Sequence, residues 1–451
     1  MRKRKRQSVL LWSQAVAVVA FAWASCVSAG PPLSLNEALA MAREKNPVLR
    51  AARQAALSAA EDVKAARADF MPRVGFFAGY VSTDEPVTAF GMKLNQGIIA
   101  PADFEPVRLN DPDPIDNLHF GFRFEQPLFK GGRIRWNHKA SELGREAAAR
   151  NEEHTGNAIL FQVVRAYLAA LQARSEVKLL KDSVALSGAL RDKIKNMSEQ
   201  GMVTRADLLA AEVRLRTLEQ DLLTARKAAS LADTELAAAV GAGIGKSYEL
   251  TETLGEPAGE SESLDKWIET AYSNRADLKS MELGLDQGRA YLRVARGAFL
   301  PEAALSGAYE WNDGDFFADP HGGYTVGFEV GFTIFDGGSR AARMHKSRFN
   351  VARMEALVES LRLNIRVDVE NSLNELETAR SYFQIAGEAV AQSEEALRII
   401  SDRYEAGLSD RVELLGAEVD LTNSRVRRDK ALYQYHLARA MLRQASGLAP
   451  E

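Results

Sequence analysis

The run Tyr324-Thr325-Val326-Gly327-Phe328-Glu329-Val330-Gly331-Phe332-Thr333-Ile334-Phe335-Asp336-Gly337-Gly338 alternates strictly from Tyr324 to Ile334. Aromatic and branched side chains fall on one face, glycine, threonine and glutamate on the other. An apolar face backed by a Gly/polar face over this length is the pattern of a membrane-spanning β-strand. Leu118, Phe120, Phe122 and Phe124 repeat it against His119, Gly121, Arg123 and Glu125, so strands are expected over 118–129 and 324–334. Val74–Tyr80 and Leu305–Trp311 are weaker versions. A soluble, half-buried sheet gives the same alternation, so one strand alone decides nothing. Their surroundings do.

Those surroundings are helical. Of the 14 prolines, none falls between Pro127 and Pro257 or between Pro320 and Pro450. Proline costs ~3 kcal/mol inside a helix, so long proline-free tracts are what long helices require. Leu208, Ala211, Leu215, Leu218, Leu222 and Ala225 recur at three and four residues, a heptad seam. Gly132 to Gly201 predicts one helix of about 100 Å at 1.5 Å per residue, longer than most domains are wide.

The chain also repeats itself. Phe129-Lys130-Gly131-Gly132 matches Phe335-Asp336-Gly337-Gly338 at an offset of 206 residues. The same offset maps Gly201 onto Gly407 and Leu208-Leu209 onto Leu414-Leu415. An offset of 229 maps Phe70-Met71-Pro72 onto Phe299-Leu300-Pro301. The expected division is a signal peptide at 1–29, a first repeat at 30–240, a linker at 241–263 and a second repeat at 264–451. The difference between the offsets places an insertion between the first two strands. That region, about Ser82 to Asn117, holds five prolines and mainly acidic charge, and reads as a long exposed loop.

Residues 2–6 are all basic, an apolar run extends from Val9 to Ala24, and Val27 and Ala29 sit where a signal peptidase reads small residues. A membrane anchor is the competing reading, and lipidation at Cys26 a third, although the residue three before it is Trp23 rather than leucine. With 57 basic against 61 acidic residues there is no excess for a nucleic-acid interface. The single cysteine excludes a disulfide framework, and no histidine pair has helical ligand spacing, so no metal or other cofactor is expected. Gly241 to Gly245 follows a helix rather than a strand, against a phosphate loop. No catalytic triad or carboxylate pair is present, so an enzyme is not expected.

Four strands cannot close a membrane barrel, and an open edge in lipid leaves backbone groups unsatisfied. Strands must be pooled between copies, eight in a dimer or twelve in a trimer, and arithmetic does not choose. A shared pore continued by long helices is a passage. The competing class is an all-helical periplasmic adaptor or scaffold, against which the alternating strands speak.

The segments Leu35-Asn36-Glu37-Ala38-Leu39-Ala40, Ala66-Arg67-Ala68-Asp69-Phe70-Met71-Pro72 and Gln126-Pro127-Leu128-Phe129-Lys130-Gly131-Gly132 resemble those of TolC-like outer-membrane efflux proteins. So does Gly201-Met202-Val203-Thr204-Arg205-Ala206-Asp207-Leu208-Leu209. The resemblance covers essentially the whole chain after the signal segment. It implies a mixed α and β membrane protein, a homotrimer with a twelve-stranded transmembrane β-barrel in the Gram-negative outer membrane and a coiled-coil α-helical barrel in the periplasm. Partners implied are a periplasmic membrane-fusion adaptor, an inner-membrane pump of RND or ABC type and outer-membrane lipid, in tripartite efflux or type I secretion.

By the same resemblance Gly201, Val203, Gly407 and Leu408 mark hairpin tips that dock the adaptor. Gly131, Gly132, Gly337 and Gly338 turn the barrel into the helices, and Asp207, Tyr404 and Glu413 fall at gate or pore-lining positions. A basic gate residue expected just past the second tip glycine is replaced by Ser409, and a second acidic ring position by Gly416. Local physics offers another role for these residues. Thr204 and Ser409 stand where helix N-caps belong, and Asp207 and Glu413 lie in first turns, where carboxylates suit the helix dipole.

Overall fold

The computed structural model describes residues 31–243, 248–257, 262–315 and 319–449. The expected signal peptide and Cys26 lie outside them, as do Ile244 and Gly245 of the glycine-rich run.

Each repeat opens with two short helices, α1 (Leu35–Lys45) and α2 (Pro47–Ala68) in the first, α7 (Leu264–Asn274) and α8 (Ala276–Gly297) in the second. Ser34 and Glu37 form a capping box at α1, and Asn46 caps α2 with proline at its first position. Strands β2 (Arg73–Thr83) and β3 (Ile115–Lys130) follow α2, and β5 (Glu302–Asp313) and β6 (His321–Gly331) follow α8. Then come the long helices, α5 (Arg133–Glu199) with α6 (Arg205–Ala239), and α9 (Ser339–Glu405) with α10 (Arg411–Ala445). The first and last residues of α5 and α6 map onto those of α9 and α10 at 206, and those of α1 and α2 onto α7 and α8 at 229. A two-residue parallel bridge joins β1 (Pro32–Leu33) to β4 (Glu249–Leu250).

The four long strands form one antiparallel sheet in the order β2-β3-β5-β6. Its register sorts side chains cleanly. Phe76, Phe122, Tyr309 and Tyr324 share one row, and Val74, Phe124, Gly307 and Val326 the next. The opposite face carries Gly75, Arg123, Ala308 and Thr325, then Gly79, His119, Asn312 and His321. On the apolar face Phe76, Tyr324, Val326 and Phe328 are 64–79% exposed, the reverse of a soluble sheet's core. Strand β6 ends at Gly331 rather than continuing to Ile334, because its partner β5 begins at Glu302, opposite Gly331.

The expected exposed loop is ordered instead. Residues 86–110 fold into α3 (Pro86–Asn95), a 3-10 turn (Pro101–Phe104) and α4 (Pro106–Asn110), each opened by a proline at its first position. Ala89, Met92 and Ile115 bury together, and Lys93 pairs with the buried Asp103 at 2.8 Å. Gln96 donates to Asn117 Oδ1 at 2.9 Å and Asn117 to Asn312 Oδ1 at 2.8 Å, holding the insertion on the polar side of the sheet.

Two apolar cores stand where the short helices wrap the long ones. Leu39 and Ala42 of α1 pack on Val163, Val164 and Tyr167 of α5 with Leu236 of α6, and the Tyr167 hydroxyl donates to Leu33 O at 2.8 Å. Trp267, Ile268 and Ala271 of α7 pack likewise on Ile365 and Val369 of α9 with Tyr435 and Leu442 of α10. Each fully buried Leu, Ile or Val contributes about 1.5–3 kcal/mol. Beyond these cores the helices lie side by side in the row α6-α5-α10-α9. Among the described residues no helix is long and apolar enough to cross a membrane.

Candidate functional site

The free ends of the two hairpins carry the residues that sequence reading singled out. Both ends are built alike. At α5, Gly201 takes φ 76°, its N–H bonds Ser198 O at 3.0 Å, and the Met202 N–H bonds Met197 O at 2.9 Å. At α9, Gly407 takes φ 73°, with the matching bonds Gly407 N to Tyr404 O at 3.1 Å and Leu408 N to Arg403 O at 2.8 Å. This double bond past a left-handed residue satisfies the last carbonyls and needs glycine at its centre. Val203 is half-buried, whereas Met202 and Leu408 project at 65% and 70% exposure.

The following helices are capped differently. Thr204 and Asp207 form a capping box. The Thr204 hydroxyl accepts from Asp207 N at 3.3 Å, and Asp207 Oδ2 accepts from Thr204 N and Oγ1 at 2.8 Å. In the second hairpin the N-cap is Asp410, which accepts from Glu413 N at 2.9 Å. The expectation of Ser409 as cap is corrected. Its hydroxyl instead donates to the Glu413 carboxylate, because Asp410 stands one residue nearer the first turn.

The two tips meet through Arg411. Its Nη1 lies 3.2 Å from Asp207 Oδ1 and donates to Ala206 O at 2.9 Å. The hydrogen bonds from Thr204, and next the Arg411 charge, hold the Asp207 carboxyl below the usual range. Tyr404 is buried close by, and burial with the Asp207 charge pushes its phenol up. Its hydroxyl has no hydrogen-bond partner among the described residues, so its part here is packing. Asp207 and Tyr404 are thus brought together, Glu413 is held apart by its own turn, and Arg411 is the residue that sequence reading missed. The 206-residue correspondence held the signal, since Arg411 stands at the place of Arg205.

Deeper in the bundle Glu418 of α10 is 1% exposed, with Arg214 and the buried Ser187 in range, and neither carboxylate oxygen has a partner in good hydrogen-bond geometry among the described residues. Burial pushes its pKa up.

At the other end of the long helices Gly131, Gly132, Gly337 and Gly338 all have positive φ, 61–86°. A Cβ at Gly131 would overlap the Gly297 carbonyl at the end of α8. Asp336 stands in for a cap at α9, accepting from Gly338 N at 3.2 Å and Arg340 N at 2.9 Å. No group of metal-binding side chains occurs among the described residues.

A family model described as outer membrane efflux protein matches residues 38–242 and 267–448. Protein CyaE of Bordetella pertussis is 24% identical over 399 residues, 88% of this chain and 80% of its own. Outer membrane efflux protein BepC of Brucella suis is 22% identical over 333 residues, 72% and 71%. The crystal structure of the Campylobacter jejuni CmeC outer membrane channel superposes with a TM-score of 0.77 at 18% identity, over 92% of this chain and 85% of that one.

Proposed function

The chain belongs to the outer membrane efflux protein family and is an outer-membrane channel for efflux or secretion, and on that premise we propose a passive exit duct made by three copies. The observation that carries the reading is the pair of open sheet edges. Strands alternate in direction across β2-β3-β5-β6, so β6 of one copy meets β2 of the next antiparallel, and the sheet grows without a mismatch until it closes. Three copies give twelve strands, with the exposed aromatic rows toward lipid and the Arg123 and His119 face toward the lumen. Next to the sheet the helical row α2-α5-α8-α9 ends at α2 and α9, which join the edge strands β2 and β6.

The tip pairing closes the duct in this reading. Asp207 and Arg411 tie the two hairpins of one chain, with Tyr404 packed beneath and Glu413 facing the pore. By the internal correspondence Arg205 and Glu413 stand where Arg411 and Asp207 do. Both are exposed and neither has an ion-pair partner among the described residues. The next copy's Arg205 therefore completes the ring on Glu413. Exposed Met202, Leu408 and Val412, with Val203, offer the surface for a periplasmic adaptor, beyond which an inner-membrane pump of RND or ABC type selects the cargo.

The test is native mass of the detergent-extracted protein with planar-bilayer conductance. A trimer with small currents that rise in Asp207→Ala and Arg205→Ala supports the duct. A non-conducting monomer or dimer rejects it.

A further inference from the structure

We propose that the first turns of α9, with Arg135 of α5, form a collar that binds anionic phospholipid headgroups of the periplasmic leaflet. The inference rests on the outer-membrane placement above and adds a lipid class and a set of residues to it. Residues 339–354 contain Arg340, Arg343, Lys346, Arg348, Arg353 and His345 and no acidic residue, in a chain whose total charge is acidic. Arg340 is committed to Asp336 at 3.1 Å. Arg343, Lys346 and Arg348 are exposed and have no carboxylate within ion-pair distance among the described residues, and the same holds for Arg135.

Helix polarity adds to the positive potential of these bases. Both α5 and α9 start at the sheet, so their positive dipole ends face that level, and at α9 Asp336 already accepts from Gly338 N and Arg340 N. Beyond Asp336 the first turns of both helices hold no carboxylate to offset the bases that follow. The helix packed on α9 adds no free countercharge at this end. In α8, Arg289, Arg293 and Arg296 follow Asp286, which pairs with Arg289 at 3.1 Å.

Position selects lipid as the partner. Ile334 and Phe335, just before the Gly337-Gly338 turn, are 87% and 84% exposed and continue the apolar band of β6. Arg343, Lys346 and Arg348 lie ~6, ~11 and ~14 Å along α9 from Ser339. Helical side chains lean toward the N-terminus, which for α9 is the membrane end, so these long bases reach back to a headgroup layer about 5–7 Å thick. A phosphodiester there meets several cations at once.

The test uses the full-length protein in neutral detergent, titrated with phosphatidylglycerol or phosphatidylcholine and read by native mass spectrometry as lipid retained per chain. The wild type should retain phosphatidylglycerol in preference, with the preference falling as salt rises. Arg343→Gln with Lys346→Gln and Arg348→Gln should lower retention at least ~10-fold, while Arg343→Lys with Arg348→Lys keeps it. Equal retention of both lipids by the wild type, or unchanged retention in the triple glutamine variant, overturns the collar. Conductance in a neutral bilayer separates the two readings. A wild type that conducts without lipid preference overturns the collar alone, and one that neither inserts nor conducts overturns the channel.

Discussion

The two helical hairpins share bounds, length and turn chemistry, yet they are held together by different forces. In the first, Leu180, Leu218, Leu222 and Ala225 bury as a cluster in the outer half of the coiled coil. The corresponding positions in the second are Ala386, Ser424, Arg428 and Ala431. There Ser424 pairs with Ser393 at 3.0 Å, Arg425 with Glu394 at 2.8 Å, and Arg428 lies over Phe383. The second hairpin also contains Glu418, fully buried, where the first has Glu212 in solvent. Apolar contact is non-directional and strong, whereas exposed polar pairs are directional and individually weak. The difference marks the α5/α6 hairpin as the fixed stave and the α9/α10 hairpin as the one that yields.

That contrast breaks most directly in the cores. Leu218→Ala should cost about 2–5 kcal/mol, and Ser424→Ala no more than about 1.5. Thermal loss of the helical circular dichroism signal measures both, and equal drops would erase the distinction. Next in size, and opposite in sign, Glu418→Leu should stabilise the protein by about 1–3 kcal/mol at neutral pH. Burial raises the folded pKa of Glu418 above its ordinary 4.5. Its packing is therefore fully favourable below 4.5 and loses ground as pH rises through the raised value, so the gain from leucine should vanish in acid. A gain independent of pH would assign the effect to packing instead.

A smaller effect is expected at the tie between the hairpins. Arg411→Ala should shift closure by about 1 kcal/mol, roughly a five-fold rise in the open fraction of single-channel records. Adding Asp207→Ala should change little further, since one interaction is already gone. Tyr404→Phe should leave conductance unaltered, because the lost hydroxyl bonds nothing. A rise in that variant would show a bond formed only in the assembled ring. The smallest effect is titration of Asp207 itself. Its carboxyl is held below 3.8, so the tie is intact above that value and weakens only as pH falls through the depressed one. Currents that grow between neutrality and pH 5 would place the sensitive group elsewhere.

The long helices and the strand alternation were legible because proline avoidance and period two are local signals carried over many residues. The helical and strand content followed from them, and the family resemblance from short motifs such as those at 126–132 and 201–209. The insertion reads as loop because prolines interrupt helices, although Pro86, Pro101 and Pro106 at first helical positions open them. Arg411 was missed for another reason. The reach of Arg411 across to Asp207 depends on how two helices are rotated against each other, which no single helix's pattern contains. Glu418 looks like any heptad-flanking glutamate until its neighbours are in place.

The unpaired edges of β2 and β6 set an order of events. The helical cores are complete within one chain and rest on contacts between neighbouring elements, so they form at a rate independent of concentration. The sheet has ladder hydrogen bonds to spare on both sides and cannot finish until other copies arrive. Assembly kinetics should therefore show a fast helical phase followed by a barrel phase that accelerates with protein concentration. In the interval each copy carries two adhesive borders, and timing rather than stability becomes the hazard that the cell must manage.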